Sequence, residues 1–420
     1  MKRFIISFLA AMILGGFSAV DAKACTGISL YAMDGSRIVA RTVEWAAGPM
    51  HCSYVVVPRG HQHRSYTPAG LDGLEYKAIY GYVGIFTEYE PFVVEGINEA
   101  GLSAGLFFFP DYGEYGPYDP AHNDRTLCDM QFVSWVLSSF STIDEVKAGI
   151  AQVDIVTLSH KIGSVHWRIA EPGGRMVVLE IVDGRPVFYE NELGVLTNAP
   201  GFPWHMTNLN NYVNLTPGSA PANGILSGSS LGSISMVGEL ARTKEDGTDR
   251  GWNTCNTRKP DAGDMWKSDT KVVLRPLGHG SGLLGLPGDF TSPSRFVRAA
   301  FFQASAPVWD TGFETVLQAF HILNNFDIPI GSQYGWGLNE ANDDGNGVDR
   351  SVRGIPEGLP SATQFTAVTD QTSLLLYYRT AWNSNIRCID LKAIDFCTVK
   401  YQSHPLDPVK RQPVEMVVVR

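Results

Sequence analysis

The chain has 420 residues, of which 44% are apolar and 18% charged, with a formal net charge of −10. That apolar share supports a sizeable core and excludes wholesale disorder. The acidic balance, with no Lys/Arg run, argues against nucleic acid or an anionic membrane as partner.

The N-terminus reads as a secretory signal peptide, residues 1–24. Lys2 and Arg3 form its charged start, FIISFLAAMILGGFSAV its apolar stretch, and Ala22-Lys23-Ala24 a small–x–small cleavage pattern. The apolar run is short for a bilayer span, and no later run reaches that length, so no membrane association is expected once the leader is gone. Removing Lys2, Arg3 and Lys23 together with Asp21 changes the net charge from −10 to −12. The expected location is periplasmic or secreted, where disulfides are permitted. Besides Cys25 the chain has Cys52, Cys128, Cys255, Cys388 and Cys397; Cys388 and Cys397 are close enough in sequence to bridge, but pairing does not follow from spacing. Lipoprotein processing at Cys25 is the alternative cut, and Ala22 and Lys23 fit it poorly.

Cleavage after Ala24 makes Cys25 the first residue, with its thiol and a free α-amino group on that one residue. An α-amine titrates near ~7.7–8.0, so it can accept the thiol proton, directly or through one water. CTGISLYA and RIVARTVEW, joined by Asp34-Gly35, read as a β-hairpin. Arg41 and Glu44 lie on its return strand. Depending on register, Arg41 comes back alongside Cys25, where a guanidinium stabilises thiolate and a carboxylate holds the amine. The plainer alternative is a surface ion pair.

Further along, His61 and His63 in GHQHR read as a solvated loop. Phe107, Phe108 and Phe109 follow a strand-like stretch and offer an apolar wall, with Trp204 as a further aromatic. LCDMQFVSWVLSSF has helical spacing, and Thr142 with Glu145 forms a capping box before a second helix. GSVHWRIAEPGGRMVVLEIVDG reads as a hairpin turning at Pro172-Gly173-Gly174. Residues 213–284 are rich in Gly, Ser, Pro and Asp and read as a loop-rich insertion. A second capping box, Thr311 with Glu314, opens another helix, and TQFTAVTDQTSLLLYYRTAW suggests a last strand pair. Strands, then helices, then strands indicate an α+β fold.

Five segments in order, CTGISLY...RIVARTVEW, EGINEAGLSAGLFF, VLTNAPGFPWHMTNLNNY, GLPGDFTSPSRFVRAAF and TQFTAVTDQTSLLLYYRT, resemble the choloylglycine hydrolase family, which includes conjugated bile salt hydrolases and penicillin V acylases. The resemblance implies a four-layer αββα N-terminal nucleophile hydrolase sandwich of two antiparallel sheets, with residues 25–420 as a single linear-amide hydrolase domain. It implies no metal and no cofactor. The partner is a small-molecule amide (penicillin V, a conjugated bile salt or an N-acyl homoserine lactone), and a homo-oligomer is left open. Cys25 matches the nucleophile and Arg41 the arginine beside it. Glu44 falls where the family usually has aspartate. Asn198 matches the oxyanion-hole asparagine and Arg295 the active-site arginine. Phe108 stands where bile salt hydrolases carry asparagine, which leaves oxyanion stabilisation to a backbone N–H and Asn198. An inactive secreted binding protein or surface lipoprotein on the same fold is the rival.

Overall fold

A computed structural model describes residues 24–45, 50–90, 92–158, 163–218, 240–242, 272–274, 279–329 and 362–419. The signal segment 1–23, Cys255 and most of the 213–284 stretch lie outside the described residues. The chain divides into two units, Met1–Asn208 with Gly288–Arg420, and Leu209–Pro287. In the second, the described pieces are a short helical turn, Leu209–Tyr212, a two-stranded ribbon, Leu240–Arg242 with Val272–Leu274, and a turn, Ser281–Leu283.

The first unit carries two antiparallel sheets. Strands β1 (Ala24–Tyr31) and β2 (Arg37–Trp45) form the predicted hairpin. Gly35 supplies the positive φ of its turn, +90°. Asp34 accepts from Ser36 N at 2.9 Å and from Gly312 N at 2.9 Å, which ties the turn to the start of a helix. The remaining strands in chain order are β3 (Cys52–Val57), β4 (Tyr82–Thr87), β5 (Val93–Asn98), β6 (Ser103–Phe108), β7 (Val165–Ala170), β8 (Met176–Val182), β9 (Arg185–Glu190), β10 (Ala362–Asp370), β11 (Leu375–Thr380), β12 (Arg387–Asp390) and β13 (Gln402–Pro405). The five-stranded sheet runs β1-β2-β10-β11-β12, and the eight-stranded sheet β9-β8-β7-β6-β5-β4-β3-β13. The β7–β8 turn comes where expected, with Gly174 at φ +93°.

Among the described residues five α-helices accompany the sheets: α1 (Phe132–Ser139), α2 (Ile143–Ile150), α3 (Phe202–Asn208), α4 (Ser292–Ser305) and α5 (Gly312–Leu323). Both capping boxes, Thr142/Glu145 and Thr311/Glu314, form reciprocally. Helix α1 packs on β5 and β6, whereas α4 and α5 pack on β1, β2 and β10. The layers are therefore helix, sheet, sheet, helix. The largest core cluster fills the space beneath α1 and α2, with Trp167 against Phe132 at 4.6 Å between ring centroids.

The stretch 127–140 is helical from Asp129, where a 3-10 turn, Asp129–Gln131, leads into α1; only its first two residues differ, because Thr126–Cys128 pairs in parallel with Asp154–Val156 and Cys128 N donates to Ser65 Oγ at 2.8 Å. One expectation fails. His61 and His63 are not a solvated loop. They flank Gln62 at a two-stranded ribbon, Gln62–Arg64 with Glu75–Lys77, where His63 stacks on Tyr76 at 4.8 Å and bonds Ser138 Oγ at 3.2 Å. Burial lowers His63 to about 3. Among the described residues no helix is long and apolar enough to cross a membrane.

Candidate active site

Strand β1 lies at the edge of the five-stranded sheet, and its outer side is met by the segment that follows β9. Gly27 N donates to Leu196 O at 2.7 Å and Leu196 N to Gly27 O at 3.1 Å. Antiparallel pairing of Gly27 with Leu196 brings Asn198 level with Cys25. Cys25 N donates to Asn198 Oδ1 at 2.8 Å, and Asn198 Nδ2 donates to Phe108 O at 2.6 Å. The amide of one residue thus spans from the five-stranded sheet to the end of β6 in the other.

Helix α4 delivers the third group. Arg295 Nη2 donates to Asn198 Oδ1 at 2.7 Å, Nη1 to Cys25 O and to Thr26 Oγ1, and Nε to Phe290 O at 2.9 Å. Burial pulls the guanidinium down from its usual range, opposed by the negative charge of Glu44. The start of α4 also fixes the loop: Ser292 Oγ accepts from Asn198 N at 2.9 Å and meets Thr197 Oγ1 at 2.9 Å. Cys25, Asn198 and Arg295 therefore form one buried, hydrogen-bonded group, although the sequence separates them by as many as 270 positions.

Arg41 and Glu44 take different places. The register sets Val43 opposite Cys25, Arg41 opposite Gly27 and Glu44 opposite Ala24. Successive side chains alternate across a sheet, so Arg41 points between the two sheets and Glu44 points to the helix side. The Arg41 guanidinium donates to Val94 O at 3.0 Å and to Leu106 O, at the point where the β5–β6 ladder ends. Its plane lies 4.1 Å from the centroid of Phe107. Glu44 is buried; Thr363 Oγ1 donates to its Oε1 at 3.3 Å, and its Oε2 has no hydrogen-bond partner among the described residues. Burial raises this carboxyl to about 7, against the pull of Arg295.

The three phenylalanines do not form one wall. Phe107 and Phe109 are fully buried on the inner face of their sheet, edge-on and stacked against His166 at 6.1 and 4.3 Å. Phe108 alternates to the other face and lies near Gly163, and its carbonyl is the part of it that reaches Asn198. Trp204, 46% exposed on α3, sits edge-on to His205.

Sequence reasoning missed a second set of buried polar groups. Glu95 on β5 lies 3.9 Å from Arg41 and pairs with Arg168 on β7. His166 Nε2 donates to Thr197 O at 3.0 Å, and its Nδ1 lies 3.3 Å from Glu180, which in turn accepts from Phe202 N at 2.8 Å. His205 Nε2 donates to Asn198 O at 2.9 Å. The available signal was alternation: in VVEGIN, VHWRIA and MVVLEIV, ionisable residues interrupt strands that are otherwise apolar.

Two antiparallel sheets face to face between helical layers constitute the N-terminal nucleophile hydrolase fold. The solved structure of a variant conjugated bile acid hydrolase from Clostridium perfringens superposes with a TM-score of 0.67 at 25% identity, over 94% of this chain and 100% of the other. Penicillin V acylase from Agrobacterium tumefaciens shares the fold at 19% identity, with a TM-score of 0.62 over 91% of each chain. A bile salt hydrolase/transferase from Clostridium perfringens is 29% identical over 371 residues, which span 87% of this chain and 92% of that protein. The family model for linear amide C–N hydrolases, choloylglycine hydrolase family, matches residues 25–238 and 252–341. The chain belongs to that family, and it is a hydrolase of linear amides.

Proposed function

We propose that this hydrolase works with Cys25 as an N-terminal nucleophile, exposed by removal of residues 1–24 during export to the periplasm or the exterior. The observation that carries this reading is the convergence of Asn198 and Arg295 on the backbone of Cys25, on both its N–H and its C=O. The start of the family match at residue 25 supports the cut. After cleavage the nitrogen held by Asn198 Oδ1 is an amine. It takes the thiol proton as the sulfur attacks the substrate carbonyl. The C–S bond forms and the carbonyl π pair moves to oxygen, where Asn198 Nδ2 and a backbone N–H hold it. Nδ2 carries two hydrogens, one of which is on Phe108 O. The pair returns, the C–N bond breaks, and the proton leaves with the amine. Water then hydrolyses the thioester to free acid and thiol.

In this reading Arg41 keeps a positive charge within the layer between the sheets, and Glu44 lies beside the new terminus. Of the four aromatics, Phe108 and Trp204 are the proposed surroundings of the acyl group, while the fully buried Phe107 and Phe109 pack against His166. The favoured substrates are penicillin V and conjugated bile acids, because similar proteins carry those names; N-acyl homoserine lactones are a further candidate. The test is amine release from a panel of these amides, run with the wild type and Cys25→Ser, alongside the intact mass of the exported protein. Turnover of at least one amide, lost in Cys25→Ser, and a mass beginning at an unmodified Cys25 are expected. A different N-terminus, a lipid-sized mass increase, or activity surviving in Cys25→Ser overturns the mechanism.

A further inference from the structure

We infer that His205 is a positioning residue for this hydrolysis: its Nε2–H holds the Asn198 carbonyl and thereby aims the Asn198 amide at Cys25. This deepens the reading above and rests on Asn198 belonging to the reaction centre.

The first observation is geometric. His205 is fully buried on α3, with Nε2 2.9 Å from Asn198 O. Its ring lies flat on Phe296, 4.5 Å away at an interplanar angle of 10°, and Phe296 is the neighbour of Arg295 on α4. One side chain therefore touches both the loop that carries Asn198 and the helix that carries Arg295.

The second observation is an orphan atom. Nδ1 of His205 is buried with no hydrogen-bond partner among the described residues. Burial holds the ring near 4, so it is neutral and carries one N–H. A carbonyl at Nε2 fixes that hydrogen on Nε2 and leaves Nδ1 as an unmatched acceptor, which is costly in a dry interior. A phenylalanine would make the same stack on Phe296 without that cost. The imidazole supplies what the stack does not need, an N–H aimed at one carbonyl.

The third observation is what that carbonyl controls. The peptide leading into Asn198 is already held, with Thr197 O on His166 Nε2 at 3.0 Å and Asn198 N on Ser292 Oγ at 2.9 Å. Those contacts leave rotation about the Asn198 N–Cα bond, which swings the side chain and the following carbonyl together, to be fixed by that carbonyl, the one His205 grips. The Asn198 side chain branches between these two anchors, and its oxygen meets both Cys25 N and Arg295. An amide displaced by about 1 Å in such a centre costs roughly a hundredfold in rate.

The test compares His205→Phe, His205→Gln and His205→Asn in steady-state hydrolysis of penicillin V or glycocholate, whichever the wild type turns over, with Cys25→Ser as the reference. Gln places an N–H near the position of Nε2; Asn stops short of it; Phe keeps only the stack. The expected result is a kcat lower by about tenfold to a hundredfold in the Phe and Asn variants with KM changed by less than about threefold, and near-wild-type kcat in the Gln variant. The Gln and Asn variants both lack the aromatic stack, so their comparison decides the matter should the Phe variant not fold. Gln as impaired as Asn, or Phe or Asn as active as wild type, overturns the role of His205 while leaving the nucleophile assignment intact. Activity in Cys25→Ser overturns both.

Discussion

Gly27→Ala measures how tightly the centre is packed. Gly27 sits on β1 opposite Arg41, two residues after Cys25. A Cβ there would lie 2.9 Å from Phe107 Cζ, 3.2 Å from Cε1 and 3.4 Å from Leu196 O. Gly27 cannot retreat readily, because both of its backbone groups are bonded to Leu196, at 2.7 and 3.1 Å. Nor can the ring, which is fully buried with the Arg41 guanidinium 4.1 Å from its centroid. Overpacking of this kind costs about 1–3 kcal/mol. Loss of glycine's freedom in the unfolded chain offsets about 0.4–1 kcal/mol. A net destabilisation of about 1–2 kcal/mol is expected in urea unfolding, with a fall in kcat as the ring presses on Arg41. Phe107→Leu removes both ring atoms that the new methyl meets. The double variant should therefore show a favourable coupling on the order of 1 kcal/mol in a double-mutant cycle. Gly27→Ala as stable and active as wild type, or a coupling of zero, refutes the packing argument.

Asn198→Ala should reduce kcat by about a hundredfold to a thousandfold with a small change in KM, read in the same amine-release assay. Glu95→Ala strands the Arg168 guanidinium, whose Nε and Nη1 already lack hydrogen-bond partners among the described residues, and should cost about 3–5 kcal/mol in urea unfolding; adding Arg168→Met should recover most of that. His63 takes no proton in the native state until about pH 3, whereas an ordinary histidine does so near 6.5, so the fold loses stability as pH falls from 6.5 towards 3. His63→Gln removes that dependence, and the variant should gain roughly 2–3 kcal/mol on the wild type between pH 7 and pH 4, after allowance for partial exposure, with unchanged kcat at pH 7.

The hairpin, the β7–β8 turn and both capping boxes were legible because each is written in a few adjacent residues: Asp34-Gly35, Pro172-Gly173-Gly174, Thr142 with Glu145, Thr311 with Glu314. The helix in 127–140 was legible from Asp129 on; its first two residues belong to Thr126–Cys128, which pairs with residues nearly 30 positions away and so escapes local periodicity. His63 misled because the stack that buries it comes from Tyr76, on the partner strand of its ribbon. Cys25 and its neighbours on β1 and β2 were legible in the hairpin. The joining of Asn198 and Arg295 to Cys25 came only through the family resemblance, since their contacts depend on the bridge at Leu196 and on α4. Glu95, Arg168, His166 and Glu180 stood in plain view as ionisable residues in apolar strands. Their partners lie on other strands or loops, so spacing could not pair them.

Most acceptors around the centre are main-chain carbonyls, those of Cys25, Val94, Leu106, Phe108, Thr197 and Asn198. Every amino acid presents that oxygen, so at Val94, Leu106 and Phe108 a changed side chain would leave the acceptor in place. The donors have no such latitude, since each is a particular side chain reaching a particular length. Phe108, where the resemblance led to an expectation of asparagine, therefore keeps the one oxygen that Asn198 Nδ2 uses, whatever its side chain.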